Sequence, residues 1–426
     1  MKILIISTSD IGGGAAIAAY RLHEGLRNVG ADSQMLVVHK QSDDERVIRP
    51  SKLQRGMNFM YWQGERAFTS LSAKHRQRNV PFSNGLFSFQ LQKRIQEINP
   101  DIINLHWVCD AFVSIHSLSQ LQVPIVWSMH DMWPITGGCH YDQGCAKFTS
   151  TCEKCPVLGP STRVDLSKKV FDRKRKVYAR KDITFVGSSN WLADCARKSA
   201  LARDQRVEVI HPGLNLSTFK PIERAIARDI LNLPLDKRII LFGSLHGEID
   251  KRKGFAHIFP ALDAIKHIDA ELVVFGQSQS FHWPDTALPI RYLGKFKDSQ
   301  SLALLYAAAD VLLFPSLQEN FGNICMESLA CGTPIVAFGI GGNPDMILHK
   351  KNGYLAPAYD AQQLGEGLSW VLEYPNRVHD LSLSARKRAE ELLDQNRMAQ
   401  EYLELFQSFY PQKEERLPFR TTPQQV

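Results

Sequence analysis

The chain has 426 residues and no apolar run near the ~20 residues that a bilayer-spanning helix needs. Its first residues, MKILIISTSDIGGG, are apolar over too short a stretch and turn glycine-rich too soon to read as a signal peptide. They read as a first buried strand. Both absences lead to the expectation of a cytoplasmic protein, at most peripheral on the cytoplasmic face of the inner membrane. No nucleic-acid motif is present, so nucleic acid is not an expected partner. Hydrophobic residues make up 44% and charged residues 22%, the balance of a soluble globular chain, and the length allows two domains with sizeable cores.

The net charge of +7 is modest, and much of it is local. Residues 51–80 carry six Lys or Arg against one Glu, interleaved with Met57, Phe59, Met60, Tyr61, Trp62 and Phe68. Residues 162–181 carry nine Lys or Arg against two Asp. Two readings stay open for these stretches: solvated helix faces, or contact with an anionic membrane surface, which basic and aromatic residues together suit.

Eight cysteines are present, and four share one window, Cys139, Cys145, Cys152 and Cys155, in the pattern C-x5-C-x6-C-x2-C. A C-x2-C pair with two more thiols suits a structural zinc, with His140 able to replace one ligand. Unligated thiols and disulfides are the alternatives, the last disfavoured in a reducing compartment. The other four cysteines sit in apolar contexts and read as small core residues.

Short apolar runs bounded by turn residues recur along the chain: Lys2–Ile6, 34–38, 101–105, 124–129, 183–187 and 206–210, with helical patterns between them. The theme restarts after the Pro- and Gly-punctuated stretch 211–221, at 238–243, 271–276, 290–294, 311–315 and 334–339. Continuous apolar strands alternating with helices predict parallel sheets. The expected fold is α/β, two Rossmann-like domains facing across a cleft and hinged near residue 213. Domain one is 1–213, joined by an amphipathic helix at about 396–410 that packs back on it. Domain two is 214–395, and 411–426 is expected to be a disordered tail.

In open α/β sheets, ligands bind beyond the C-terminal strand ends. Three features there point to a nucleoside diphosphate. Arg252 and Lys253 offer a planar fork and a point charge for two phosphates. The run Glu319-Asn320-Phe321-Gly322-Asn323 opens a helix whose free N–H groups form an anion site. Glu327, about one turn further, can accept from ribose hydroxyls, and Glu319 can reach sugar hydroxyls beyond the phosphates. The bland alternative is that Glu319 only complements the helix N-terminus and Glu327 is solvated. His106 and Trp107 end a first-domain strand and can line an acceptor pocket, although His106 also suits a satisfied core position.

The stretch PSLQENFGNICMESLACGTPIVAFGIGGNPDMILHKKNGYLAP (315–357) closely resembles the signature region of family 4 glycosyltransferases of the GT-B fold, with seven residues between its two glutamates. VIHPGLNLSTFKP resembles the family's interdomain stretch, with Asn215 where Asp is usual, and VPIVWSMHDMWP places His130 at a strand end. The likeness covers about residues 1–410. NLHW and the cysteine window make it most similar to exopolysaccharide and O-antigen cluster enzymes of the colanic-acid type. The resemblance implies that Glu319 contacts the donor sugar and Glu327 the ribose. It also implies that Arg252 and Lys253 bind pyrophosphate, that His130 lies beside the transferred sugar, and that Gly13 and Gly14 allow close backbone approach. One departure is Gly243-Ser244-Leu245 where the family often has Gly-Arg-Leu.

The implied activity is a retaining transfer of a sugar from a UDP- or GDP-linked donor to a growing glycan or lipid-linked acceptor in bacterial surface polysaccharide biosynthesis. The expected route is same-face and metal-independent, with no cofactor for catalysis. A non-catalytic glycosyltransferase-like partner subunit and a GT-B nucleotide-sugar epimerase are the alternatives.

Overall fold

A computed structural model describes residues 1–73, 76–77, 80–88, 91–159, 165–243, 250–276, 288–296 and 298–410. The tail expected to be disordered, 411–426, lies outside the described residues, as do Ser244 and Leu245. The first half forms a seven-stranded sheet. Its strands are β1 (Lys2–Ile6), β2 (Asp32–Leu36), β3 (Val47–Ile48), β4 (Ile102–Leu105), β5 (Ile125–Met129), β6 (Ile183–Gly187) and β7 (Val207–Val209). They are ordered β3-β2-β1-β4-β5-β6-β7, and every pairing is parallel.

The second sheet has six strands: β8 (Arg238–Gly243), β9 (Ala270–Phe275), β10 (Ile290–Gly294), β11 (Val311–Phe314), β12 (Ile335–Phe338) and β13 (Gly353–Ala356). Their order is β10-β9-β8-β11-β12-β13, again all parallel. Two doubly wound Rossmann-like domains, the expected fold class, therefore stand in one chain. Strands β1, β4, β5 and β6 are buried almost throughout, which is why they read as unbroken apolar runs. Two strands escaped the sequence: β3 is two residues long, and β13 begins with glycine and carries a single aliphatic pair.

Helix α14 (Gln395–Gln407) belongs to the first domain's packing. Met398, Ala399, Tyr402, Leu405 and Phe406 join a core with Ile3, Ile5, Ala19 and Leu22, the last two from α1 (Gly14–Asn28). Burying Tyr402 and Phe406 is worth roughly 1.5–3 kcal/mol each, which ties the chain's end to the first sheet. Helix α5 (Leu166–Tyr178), in the basic stretch 162–181, also turns a lysine inward. Lys174 is fully buried, donates to the carbonyls of Trp133 and Thr136 and lies 3.8 Å from the Trp133 ring centre. Burial pushes its pKa down to about 7.

The turn carrying Arg252 and Lys253 is fixed by Gly254, whose φ is 67° and whose missing Cβ would lie 1.7 Å from the Pro315 carbonyl oxygen. A side chain there is strained and also collides with backbone. Gly64, exposed in α2 (Lys52–Ser72), has open space around it. We predict that Gly254→Ala costs about 2 kcal/mol or more in urea unfolding, whereas Gly64→Ala is neutral or stabilises by about 0.5–1 kcal/mol. Equal stability of the two variants would contradict the packing described.

Candidate functional site

Two helices end head-on between the domains. The first, α1, follows the loop after β1. Gly13 precedes it with φ 105°, a backbone that only glycine adopts freely. The second, α10 (Asn323–Ala330), follows β11. Asn323 Nδ2 donates to the Gly14 carbonyl at 3.2 Å, so the two N-termini meet. Neither has a side-chain cap or an acid in its first turn, whereas Asp165, Asp298, Asp360 and Asp394 cap four other helices. The N–H groups of Gly14, Ala15, Asn323 and Ile324 have no partner among the described residues. Unneutralised helix N-termini attract anions, and here two act on one spot.

The charged residues beside it pair with one another. Lys253 Nζ lies 2.7 Å from Glu319 Oε2, and this carboxylate, outweighing the opposing effect of burial, raises the lysine's pKa. Arg252 forks onto Asp250, at 3.0 Å from Nε and 2.7 Å from Nη2, and its guanidinium stacks 4.6 Å over the Tyr141 ring of the first domain. Glu327 is 7% exposed, not solvated. Arg21 Nη2 from α1 donates to its Oε1 at 2.7 Å, and Tyr306 Oη donates to Oε2 at 2.9 Å. A carboxylate has about four acceptor positions, so two remain for hydroxyls.

Of the Glu319–Asn323 run, Asn320 and Phe321 are committed to the domain interface through their side chains. Asn320 accepts from Ser189 Oγ at 2.6 Å and donates to the His130 carbonyl at 3.2 Å, while Phe321 stacks on His211 at 5.2 Å. Their side chains are thus not free to bind a donor, and the backbone N–H groups of the following helix start are the open donors. A Cβ at Gly322 would lie 3.0 Å from the Phe314 ring.

On the first-domain wall, His130 follows β5 and is partly exposed, with its ring centre 5.1 Å from that of His106. His106 does not line a pocket. It is 4% exposed with both ring nitrogens in hydrogen bonds, the satisfied core reading. Trp107 is half-buried and donates from Nε1 to Asp131 Oδ2 at 3.1 Å. Asp131 also takes His140 Nδ1 at 2.6 Å and the Trp133 N–H at 2.8 Å. Burial pushes its pKa up, but His140 and these donors outweigh that and lower it.

The cysteine window finds no support as a metal centre in the placement of its side chains. Among the described residues no three His, Cys, Asp or Glu side chains are grouped as a metal ion would require. Cys139 and Cys155 hydrogen-bond, and this bond, more than burial opposes it, lowers the Cys155 pKa to about 7. Cys152 is buried nearby, while Cys145 is half-exposed. All four are free thiols. The loop's contribution to the cleft is Tyr141.

Sequence reasoning missed Arg21, Tyr141, Asp131 and Tyr306. Asp131 adjoins His130 and Tyr141 adjoins the cysteines, so proximity to a flagged residue was the available signal. Arg21 lies on an unremarkable alanine-rich helix and gave none.

Three comparisons bear on this arrangement. Residues 12–218 match the family described as Glycosyltransferase Family 4, and residues 223–388 match Glycosyl transferases group 1. Over 205 residues the chain is 31% identical to a D-inositol 3-phosphate glycosyltransferase of Thermobispora bispora. That match covers 44% of this chain and spans about half, 47%, of the relative's length. The fold is similar to sucrose-phosphate synthase from Thermosynechococcus elongatus, at TM-score 0.67 and 19% identity over 96% of this chain and 99% of that one. It is also similar to Anabaena Alr3699/HepE, solved in complex with UDP and glucose, at TM-score 0.62 and 14% identity over 96% and 100%.

The Arg21–Glu327 pair links α1 of one domain to α10 of the other across a nearly dry contact. We predict a coupling energy above about 1 kcal/mol in a double-mutant cycle of Arg21→Met and Glu327→Gln, read by urea unfolding. Additive single effects would show that the pair does not couple the domains.

Proposed function

We propose that this chain, whose halves carry a family 4 glycosyltransferase domain and a group 1 glycosyl transferase domain, transfers a sugar from a nucleoside diphosphate sugar with retention of configuration. The observation that carries the reading is the meeting of two uncapped helix N-termini beside Lys253 and Arg252. A departing diphosphate concentrates negative charge where these groups concentrate positive potential, and preorganised charge of this kind lowers the barrier. These cations and N–H groups supply the stabilisation, so the proposed departure uses no metal ion.

Glu327, held by Arg21 and Tyr306, accepts from the ribose hydroxyls. Glu319 exchanges its Lys253 partner for the donor sugar's hydroxyls as Lys253 turns to phosphate. His130 orients the sugar. The leaving phosphate accepts the proton of the incoming hydroxyl on the same face, consistent with an oxocarbenium-like sugar. UDP is the first donor base to try, because a fold neighbour was solved with UDP and glucose.

The acceptor we propose is lipid-linked or glycan, in bacterial surface polysaccharide assembly, reached from the cytoplasmic face of the inner membrane. The support is α2, which exposes Leu53 (75%), Met60 (71%) and Leu71 (74%) alongside Lys52, Arg55 and Arg66. Apolar and basic side chains on one surface helix suit an anionic lipid layer better than the D-inositol 3-phosphate of the relative's name. No helix among the described residues is long and apolar enough to cross a membrane.

A thermal-shift panel of UDP, GDP and ADP with their sugars tests the donor. One family should raise the melting temperature by mass action, and none doing so would sink the reading. Lys253→Ala should lower transfer on the order of 10²-fold or more and leave free-nucleoside binding unchanged. Glu327→Ala should weaken nucleotide binding in calorimetry, and Glu319→Ala should mainly slow transfer. Unaltered nucleotide affinity in Glu327→Ala removes its ribose role. Proton NMR of the product's anomeric centre decides retention.

A further inference from the structure

His130 is at the end of a chain of hydrogen bonds that starts at a backbone carbonyl. Asn104, buried on β4, directs Nδ2 at the Val126 carbonyl at 3.1 Å and at Ser128 Oγ at 2.9 Å. A carbonyl can only accept, so this orients the amide, and its Oδ1 faces His106 Nε2 at 2.8 Å. That nitrogen must therefore carry a proton. Burial, with His130 beside it, lowers the His106 pKa and keeps the ring neutral, so Nδ1 is bare. His130 Nε2 lies 2.8 Å from that bare nitrogen and must be the donor. Burial holds His130 neutral too, with a pKa of about 4, and the opposing charge of Asp131 does not reverse this. The His130 Nδ1 lone pair is then left over, with no partner among the described residues. Farther back, Ser128 Oγ is 2.7 Å from Tyr402 Oη, so α14 buttresses the start of the chain.

We propose that Asn104 and His106 are positioning residues that lock His130 as the Nε2–H tautomer, making its Nδ1 a hydrogen-bond acceptor for a hydroxyl of the transferred sugar. This rests on the placement of His130 beside that sugar. It adds a direction: the ring accepts from the sugar and does not donate to it. A donor whose facing group can only accept, such as a carboxylate or an ether, would be rejected. Two lone pairs would then face each other, with a buried polar atom left unpaired.

The tautomers can be read directly from nitrogen chemical shifts of histidine-labelled full-length protein without ligand, at pH 7.5. The expected result is a protonated Nε2 and a bare Nδ1 on both His106 and His130. A His130 protonated at Nδ1 would overturn the proposal, whether or not the protein transfers sugar. Asn104→Asp provides the second arm. A buried carboxylate draws a second proton onto His106, whose Nδ1–H then donates to His130 Nε2 and drives the His130 proton to Nδ1. A purely structural Asn104 would leave the His130 tautomer unmoved in the folded variant. If the variant does not fold, the parent's tautomers still decide.

The acceptor role is read by adding UDP-glucose and, separately, UDP to the parent. With UDP-glucose bound, shown by movement of the Asn323 amide, the His130 Nδ1 resonance should shift upfield. UDP alone should leave it in place. Bound UDP-glucose with an unmoved Nδ1 would overturn the acceptor role. Failure of UDP-glucose to bind, with the tautomers as stated, would count against the donor reading alone.

Discussion

The structure is organised around an unneutralised positive charge: two helix N-termini aimed at one point from different domains. Every helix start exposes donors without internal partners, and folds commonly spend a side chain on each. This chain caps four other helices with aspartates and leaves α1 and α10 without a side-chain cap. Asn323 donates to the Gly14 carbonyl and Arg21 pairs with Glu327, which fixes the approach of the two helices without filling the N–H positions. Gly13 contributes the turn that delivers α1 to the spot.

Concentrated positive potential between domains would push them apart unless balanced. The side-chain cations around that spot are each paired with a carboxylate, and two of these, Glu319 and Glu327, are the ones proposed to meet the sugars. Glu319 neutralises Lys253, Asp250 neutralises Arg252, and Glu327 neutralises Arg21. Of these pairs Arg21–Glu327 crosses between the domains, together with Ser189–Asn320, Asn190–Asp345 and Arg252 over Tyr141. In the proposed reading a nucleoside diphosphate brings its own negative charge and replaces Glu319 at Lys253, which frees that carboxylate for hydroxyls.

Much of this was legible in the residue order. Buried parallel strands appear as unbroken apolar runs, so eleven of the thirteen strands stood out; β3 is too short, and β13 too glycine-led, to do so. The pair Glu319 and Glu327 was visible because strand, turn and helix follow within a dozen residues. What the order does not carry is partnership at long range. Arg21 and Glu327 are 306 positions apart, and nothing local to α1 marks that arginine. His106 looked like a lining residue because it ends a strand, yet its ring turns inward to Asn104, two positions back on the same face of β4. The cysteine spacing suggested a ligand set, whereas the backbone brings only Cys139 and Cys155 into hydrogen-bond contact. Spacing within a loop does not set where its side chains meet.

Backbone amide NMR of the full chain during titration with UDP, GDP and ADP tests the central claim most directly. The account predicts that the diphosphate that binds moves the amides of Gly14 and Ala15 together with those of Asn323 and Ile324, with one common dissociation constant, and that the matching nucleoside moves neither set. A diphosphate that binds while moving only one set, or neither, would contradict the convergence of two helix N-termini on a single phosphate site.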